Sequence, residues 1–162
     1  MKICKSYKRV NYEPKYLDEL AYEIMKFHKK VNTKYFSESN SIKTFNQKIN
    51  FFKNKTKELV DSCQYNVIGI DDETSKIWGF YCFRIKDSIC YNPFIFKSED
   101  FKLCSSTFKG SFDGFNDMKK LGYNEIHTII DRKDPKRYLK FLNRYYNITV
   151  EMTDPIKVIF HI

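Results

Sequence analysis

The chain has 162 residues, enough for one domain with a sizeable core. Its 42% hydrophobic and 17% aromatic content, with only five Gly and four Pro, excludes a disordered or low-complexity protein. A net charge of +9 favours an acidic partner, whether nucleic acid, a phosphate-rich cofactor or an acidic protein, although Lys spread over every face gives the same total and only confers solubility. The cysteines Cys4, Cys63, Cys82, Cys90 and Cys104 are odd in number and form no C-x-x-C pair, and no His lies at ligand spacing. They read as free thiols of a reducing cytosol, and no metal site is expected. Met1 to Lys5 lacks the apolar region of a signal peptide and no apolar run reaches the length of a membrane span, so a cytoplasmic protein without a membrane partner is expected.

Ile3 to Val10, bounded by Asn11 and Pro14, reads as a first strand. Pro14 suits the first turn of a helix whose apolar stripe runs through Leu17, Leu20, Ala21, Ile24, Phe27 and Val31, with Lys26, Lys29 and Lys30 toward the negative end of its dipole. A second stripe, Ile42, Phe45, Ile49 and Phe52, predicts a helix with Ser41 as N-cap, running on toward Leu59. Its lysines, Lys43, Lys48, Lys53, Lys55 and Lys57, are explained most simply as a solvated face. Tyr65 to Ile70 and Ile77 to Ile85 form a hairpin about Asp71 to Ser75, whose acidic trio is read as turn-forming rather than metal-binding. Ile89 to Phe96 and Phe101 to Ser105 are both strand-like, and the second is favoured as the central strand because it leads into a glycine-spaced turn, Phe108-Lys109-Gly110-Ser111.

A third helix follows, with Phe112, Phe115, Met118 and Leu121 at three-residue steps and Gly122 as its left-handed terminator. Ile126 to Ile130 is a strand, and Asp134-Pro135 opens a fourth helix whose apolar side is Tyr138, Phe141, Leu142 and Tyr145. Ile148 to Met152 and Ile156 to Ile162 close the chain as two strands.

That order resembles the GCN5-related N-acetyltransferase (GNAT) fold, and the resemblance is most specific at Thr107 to Gly114. In that family a loop of the form Arg/Gln-x-x-Gly-x-Gly/Ala joins the central strand to the next helix. Here Gly110 takes the place of the first loop glycine and Phe112 stands where a second small residue is expected. The resemblance implies an α/β fold, a mixed and mostly antiparallel sheet with helices on both faces, spanning residues 1–162 as a single domain. It also implies acetyl-CoA as co-substrate, its pyrophosphate held by Ser105, Thr107, Phe108, Lys109, Gly110, Ser111 and Phe112. Backbone N–H groups at a helix amino terminus bind phosphate without a dedicated side chain, and Lys109 adds a point charge. The family's pattern Tyr-x-x-x-Gly-Phe aligns with Phe141 to Tyr146, so Phe141 replaces the tyrosine that protonates the departing thiolate, and Tyr138, one turn earlier, is the substitute.

Acetyl transfer on this fold needs a base to deprotonate the acceptor amine, a strand N–H for the developing oxyanion and a proton for sulfur. His127 and Glu125 are the candidate bases, with Asp131 at the far end of the same strand, while a half-buried structural histidine is the simpler account of His127. His28 and His161 are read as packing or surface residues. Three functions stay open. The first is an acyl-CoA-dependent N-acyltransferase acting on a protein, nucleic acid or small molecule. The second is a non-catalytic protein on the same fold, such as a phage or mobile-element factor that binds a host protein or nucleic acid. The third is a nucleobase-modifying member of the fold.

Overall fold

A computed structural model of the chain describes residues 2–102 and 105–162, with 105–112 described as helix backbone only. In chain order the described elements are β1 (Tyr7–Asn11), α1 (Leu17–Val31), α2 (Phe45–Asp61), β2 (Tyr65–Asp71), β3 (Ile77–Lys86), β4 (Ile89–Lys97), α3 (Ser105–Lys120), β5 (Glu125–Ile130), α4 (Pro135–Tyr145), β6 (Ile148–Glu151) and β7 (Ile156–His161). Short 3-10 segments, Pro14–Tyr16 and Lys34–Ser41, precede α1 and α2. The strands form one seven-stranded sheet in the order β1-β2-β3-β4-β5-β7-β6. Every neighbouring pair is antiparallel except β4 with β5.

Alternation along the strands divides the apolar residues between two faces. Ile68, Ile70, Phe80, Cys82 and Phe96 pack with Leu20, Ala21, Ile24 and Phe27 of α1 and Phe52, Leu59 and Val60 of α2. Their alternating neighbours Val67, Tyr81, Phe83 and Ile95 face the other way, into a second core with Phe115 and Met118 of α3 and Leu142 of α4. The expected layering, helices on both faces of a mostly antiparallel sheet, is therefore present.

Local chemistry explains most element ends. Asn32 closes α1 in the left-handed conformation, a role a short polar side chain tolerates. Gly122 ends α3 at φ +100, and Asp134 caps α4 by accepting the Arg137 N–H at 3.4 Å, with Pro135 in the first turn. Three expectations need correction. The cap of α2 is Thr44, whose hydroxyl accepts the Gln47 N–H at 3.3 Å, whereas the Ser41 hydroxyl donates to Glu38 O within the preceding 3-10 segment. Phe101 is not in a central strand. It makes an isolated bridge to Lys2 and is buried with Cys4 and Trp78, and the strand beside β5 is Ile89–Lys97. The segment read as a turn, Phe108 to Ser111, falls inside α3, which begins at Ser105. Among the described residues no helix is long and apolar enough to cross a membrane.

Candidate active site

The sheet is interrupted in the middle. Register along β3 and β4 passes from Cys82↔Phe94 to Arg84↔Tyr91, so Phe83 alone faces both Asn92 and Pro93. This is a β-bulge, and Pro93, which has no N–H to give a ladder, is a residue that tolerates one. Asn92 is 3% exposed, and its side-chain amide donates to Cys82 O at 2.7 Å and Phe94 O at 3.1 Å, holding the bulge together.

On its other side β4 runs parallel to β5 with a single register pair, Tyr91↔His127. Both strands continue, β4 to Lys97 and β5 to Ile130, and the Thr128 hydroxyl donates to Asn92 O at 2.7 Å where the next rung would lie. Beyond it the two strands share no described rung. Around the opening, Phe27 of α1 packs against Phe94 and Phe96 at ring distances of 5.9 and 5.6 Å. From the β5 side, the Arg132 guanidinium lies 3.7 Å from the Tyr138 ring centroid and 6.0 Å from that of Phe27. Cation–π stacking thus ties α4 to α1 across the break.

Asp131, the next residue back, accepts the N–H groups of Lys34 and Tyr35 at 2.8 and 2.9 Å. Both carboxylate oxygens are occupied as a cap on the 3-10 segment, which corrects its reading as a candidate base.

His127 and Glu125 are brought together on the sheet face opposite Ile126 and Ile130. His127 Nε2 lies 3.2 Å from Glu125 Oε2, and its ring meets Tyr91 edge-on at 5.8 Å. The chain of groups continues, with His161 Nδ1 3.9 Å from Glu125 Oε1 and His161 Nε2 2.7 Å from the Thr149 hydroxyl. Among the described residues the His127 Nδ1 atom is buried without a hydrogen-bond partner. An imidazole held against a carboxylate is an arrangement a general base can use.

Tyr138 belongs to the opposite face, with the core under α3 and α4, so the sheet separates it from His127 and Glu125. Burial raises its phenol pKa and the Arg132 charge only partly opposes this, so it stays protonated at neutral pH. Phe141 stacks on Tyr138 at 6.3 Å and meets Tyr145 at 5.1 Å. The expected cofactor residues Ser105, Thr107, Phe108, Lys109, Gly110, Ser111 and Phe112 have side chains outside those described. The acidic trio closes its hairpin as a turn, with Asp71 Oδ2 accepting the Thr74 N–H at 2.9 Å. His28, in the last turn of α1, is buried and contacts Thr33 and Asn40 of the α1–α2 connection at 3.3 and 3.0 Å.

The sequence reading missed Asn92, Thr128 and Arg132. Pro93 in the interior of a strand-like run was the available signal for a bulge. Nothing local announces Arg132 or Thr128, whose partners are distant in sequence.

A sheet opened between parallel β4 and β5, with two helices on each face, is the fold of the GCN5-related N-acetyltransferases. No protein-family model matches the sequence, and no curated protein matches it. Solved structures do share the fold. A GNAT-family acetyltransferase of Staphylococcus aureus is similar at TM-score 0.65 and 13% identity, over 96% of this chain and 99% of that one. The PaiA N-acetyltransferase of Thermoplasma acidophilum, in complex with coenzyme A, is similar at TM-score 0.66 and 10% identity, over 97% of this chain and 99% of that one. The GNAT-family N-acetyltransferase YhbS of Escherichia coli, in complex with CoA, gives TM-score 0.56 at 11% identity, over 96% of this chain and 81% of that one.

Proposed function

We propose that the protein is an acyl-CoA-dependent N-acyltransferase, residues 1–162 acting as one domain that carries an acetyl group from acetyl-CoA to an amine. The observation that carries this reading is the break in the sheet, where one register pair, Tyr91↔His127, is followed by strands with no described rung. In this reading a thioester carbonyl enters where β4 and β5 share no described rung, and a β4 N–H facing the break is the oxyanion donor as charge develops. The CoA-bound state of two solved structures with this fold supports the choice of cofactor.

In this reading the CoA pyrophosphate rests on the amino-terminal turn of α3, whose first N–H groups have no partner within the helix, with Ser105, Thr107, Phe108 and Lys109 nearest. Gly110, Ser111 and Phe112 fall in the following turn. An acyl group lying in the break has Glu125 and His127 on one face and Tyr138 on the other. His127, backed by Glu125, takes the proton from the acceptor ammonium. The amine attacks the thioester carbon, the carbon–sulfur bond breaks, and Tyr138 returns a proton to the CoA thiolate in place of Phe141.

The acceptor is a molecule with acidic surroundings. Lys136, Arg137, Lys140 and Arg144 are exposed on α4, and none has an ion pair with a described carboxylate. An acidic protein or nucleic acid fits that helix face, in a cytoplasmic setting and without a membrane.

The test is transfer of labelled acetyl from acetyl-CoA to protein, nucleic-acid and small-molecule amine fractions. Label on one fraction, with stoichiometric release of free CoA, is expected. If no fraction accepts label although acetyl-CoA binds, the protein is instead the non-catalytic binding form of the fold, consistent with Phe141 in place of a proton donor.

A further inference from the structure

Arg132 follows the carboxyl end of β5 by two residues and is half-buried. Its guanidinium carbon lies over the Tyr138 ring, 3.7 Å from the centroid, and 6.0 Å from the centroid of Phe27. Tyr138 packs with the core under α3 and α4, whereas Phe27 packs with α1, α2 and Phe96 of β4 on the other face. A cation that reaches one ring from each face lies in the plane of the sheet. It does so on the β5 side of the break, beyond the last described rung, Tyr91↔His127.

A guanidinium lying over a ring uses its flat face there, and its five N–H donors point outward in its own plane. Among the described residues none of these donors meets a carboxylate, a carbonyl or a hydroxyl. The two carboxylates beside it in sequence are committed to backbone. Asp131 accepts the N–H groups of Lys34 and Tyr35 at 2.8 and 2.9 Å, and Asp134 accepts the Arg137 N–H at 3.4 Å. The α1 side of the break is apolar, with Phe94 and Phe96 against Phe27 at 5.9 and 5.6 Å. A half-buried positive charge without a counterion carries a desolvation cost, which an anion entering the break offsets. Burial raises the Tyr138 phenol and the Arg132 charge partly opposes it, so the field of this cation already reaches the site.

We infer that Arg132 selects the acyl group, and that the preferred donor is the CoA thioester of a short dicarboxylic acid, its free carboxylate bound by the Arg132 guanidinium. This rests on the acyl-CoA reading, in which the phosphates of CoA lie at the amino-terminal turn of α3 and the acyl group lies in the break. The phosphates are thus met by backbone N–H groups, and the anion left for Arg132 is one carried on the acyl chain. A carboxylate accepts two parallel N–H bonds from the edge of a guanidinium while its face stays on the Tyr138 ring. The methylenes between thioester and carboxylate lie along the apolar surface of Phe27 and Phe94. An acetyl group leaves the cation unpaired, so acetyl-CoA is a weaker ligand of the same site.

Titration calorimetry of the full chain with succinyl-CoA, butyryl-CoA and free CoA tests this. Butyryl-CoA has the carbon chain of succinyl-CoA without its carboxylate. The wild type, which needs no variant to fold, is expected to bind succinyl-CoA at least about tenfold more tightly than butyryl-CoA, the size of one charge-assisted pair. Arg132→Gln should remove that preference, and Arg132→Lys should keep only part of it, because an ammonium lacks the planar fork. Equal affinities of the wild type for succinyl-CoA and butyryl-CoA overturn this inference and leave the acyl-CoA reading standing. A preference that survives in Arg132→Gln overturns the assignment to Arg132. A loss in Arg132→Gln that is the same for succinyl-CoA and free CoA places Arg132 on the CoA phosphates and overturns it too. If none of the three compounds binds, the acyl-CoA reading is overturned and this inference falls with it.

Discussion

Replacing Asn92 with Leu tests whether the bulge in β4 is held by the amide or merely filled by it. Leu keeps a comparable volume in a position 3% exposed, so the change removes polar contacts more than packing. What is lost are the hydrogen bonds to Cys82 O at 2.7 Å and Phe94 O at 3.1 Å. At about 1 kcal/mol net for each, with no water able to replace the donor, the variant should be less stable by about 2 kcal/mol. For a chain of this length that corresponds to a fall in Tm of roughly 4–8 °C. Urea unfolding followed by circular dichroism should show a lower midpoint with an unchanged slope, since the same surface is exposed on unfolding. A stability loss below about 0.5 kcal/mol, the range of ordinary surface changes, would refute the view that this amide holds the bulge.

Two further outcomes follow from side-chain geometry. Gly114 lies in α3 where an added Cβ would come within 3.1 Å of the Tyr81 ring, and that ring is pinned by Arg9 donating to its hydroxyl from Nε at 3.1 Å and Nη2 at 2.7 Å. Gly114→Ala should therefore destabilise, because overpacking of about 1–3 kcal/mol exceeds the helix-propensity gain of about 1 kcal/mol, and a higher urea midpoint would show that Tyr81 yields freely. Burial acts against the Asp71 carboxylate, but the Thr74 hydroxyl and N–H hold it below its usual range. A depressed folded-state pKa gives stability that is present above the unfolded value, about 3.9, and is lost as pH falls through the folded one. The advantage of the wild type over Asp71→Asn should thus be constant near neutrality and shrink only in acid, and an advantage that grows as pH falls would contradict this sign.

The helices and the order of the strands were legible because their signals are local. Gly122 and Asp134-Pro135 act on their own backbone, and the alternation of Ile126, Thr128 and Ile130 with His127 needs only a strand to take effect. The errors lie where a local pattern had a distant cause. Phe101 is apolar because it fills a small cluster with Cys4 and Trp78, not because it sits in the sheet. Phe108 to Ser111, with Gly110, looked like a turn yet lies inside α3, and Gly114 further along the helix meets the close approach of Tyr81. A single helical Gly costs only about 1 kcal/mol, which packing overrides. At the candidate site, His127 and Glu125 could be paired from their spacing of two residues on one strand. Asp131 could not be recognised as a cap, because its partners Lys34 and Tyr35 lie 97 and 96 residues away along the chain.

The central claim is that the break between β4 and β5 binds an acyl-CoA. Thermal unfolding of the full chain with and without acetyl-CoA tests it directly. A ligand present at a hundred times its dissociation constant stabilises the native state by about 2.7 kcal/mol, which for this chain is a rise in Tm of roughly 5–10 °C. A saturable rise of that size with acetyl-CoA is predicted, and an unchanged Tm at millimolar acetyl-CoA would contradict the account.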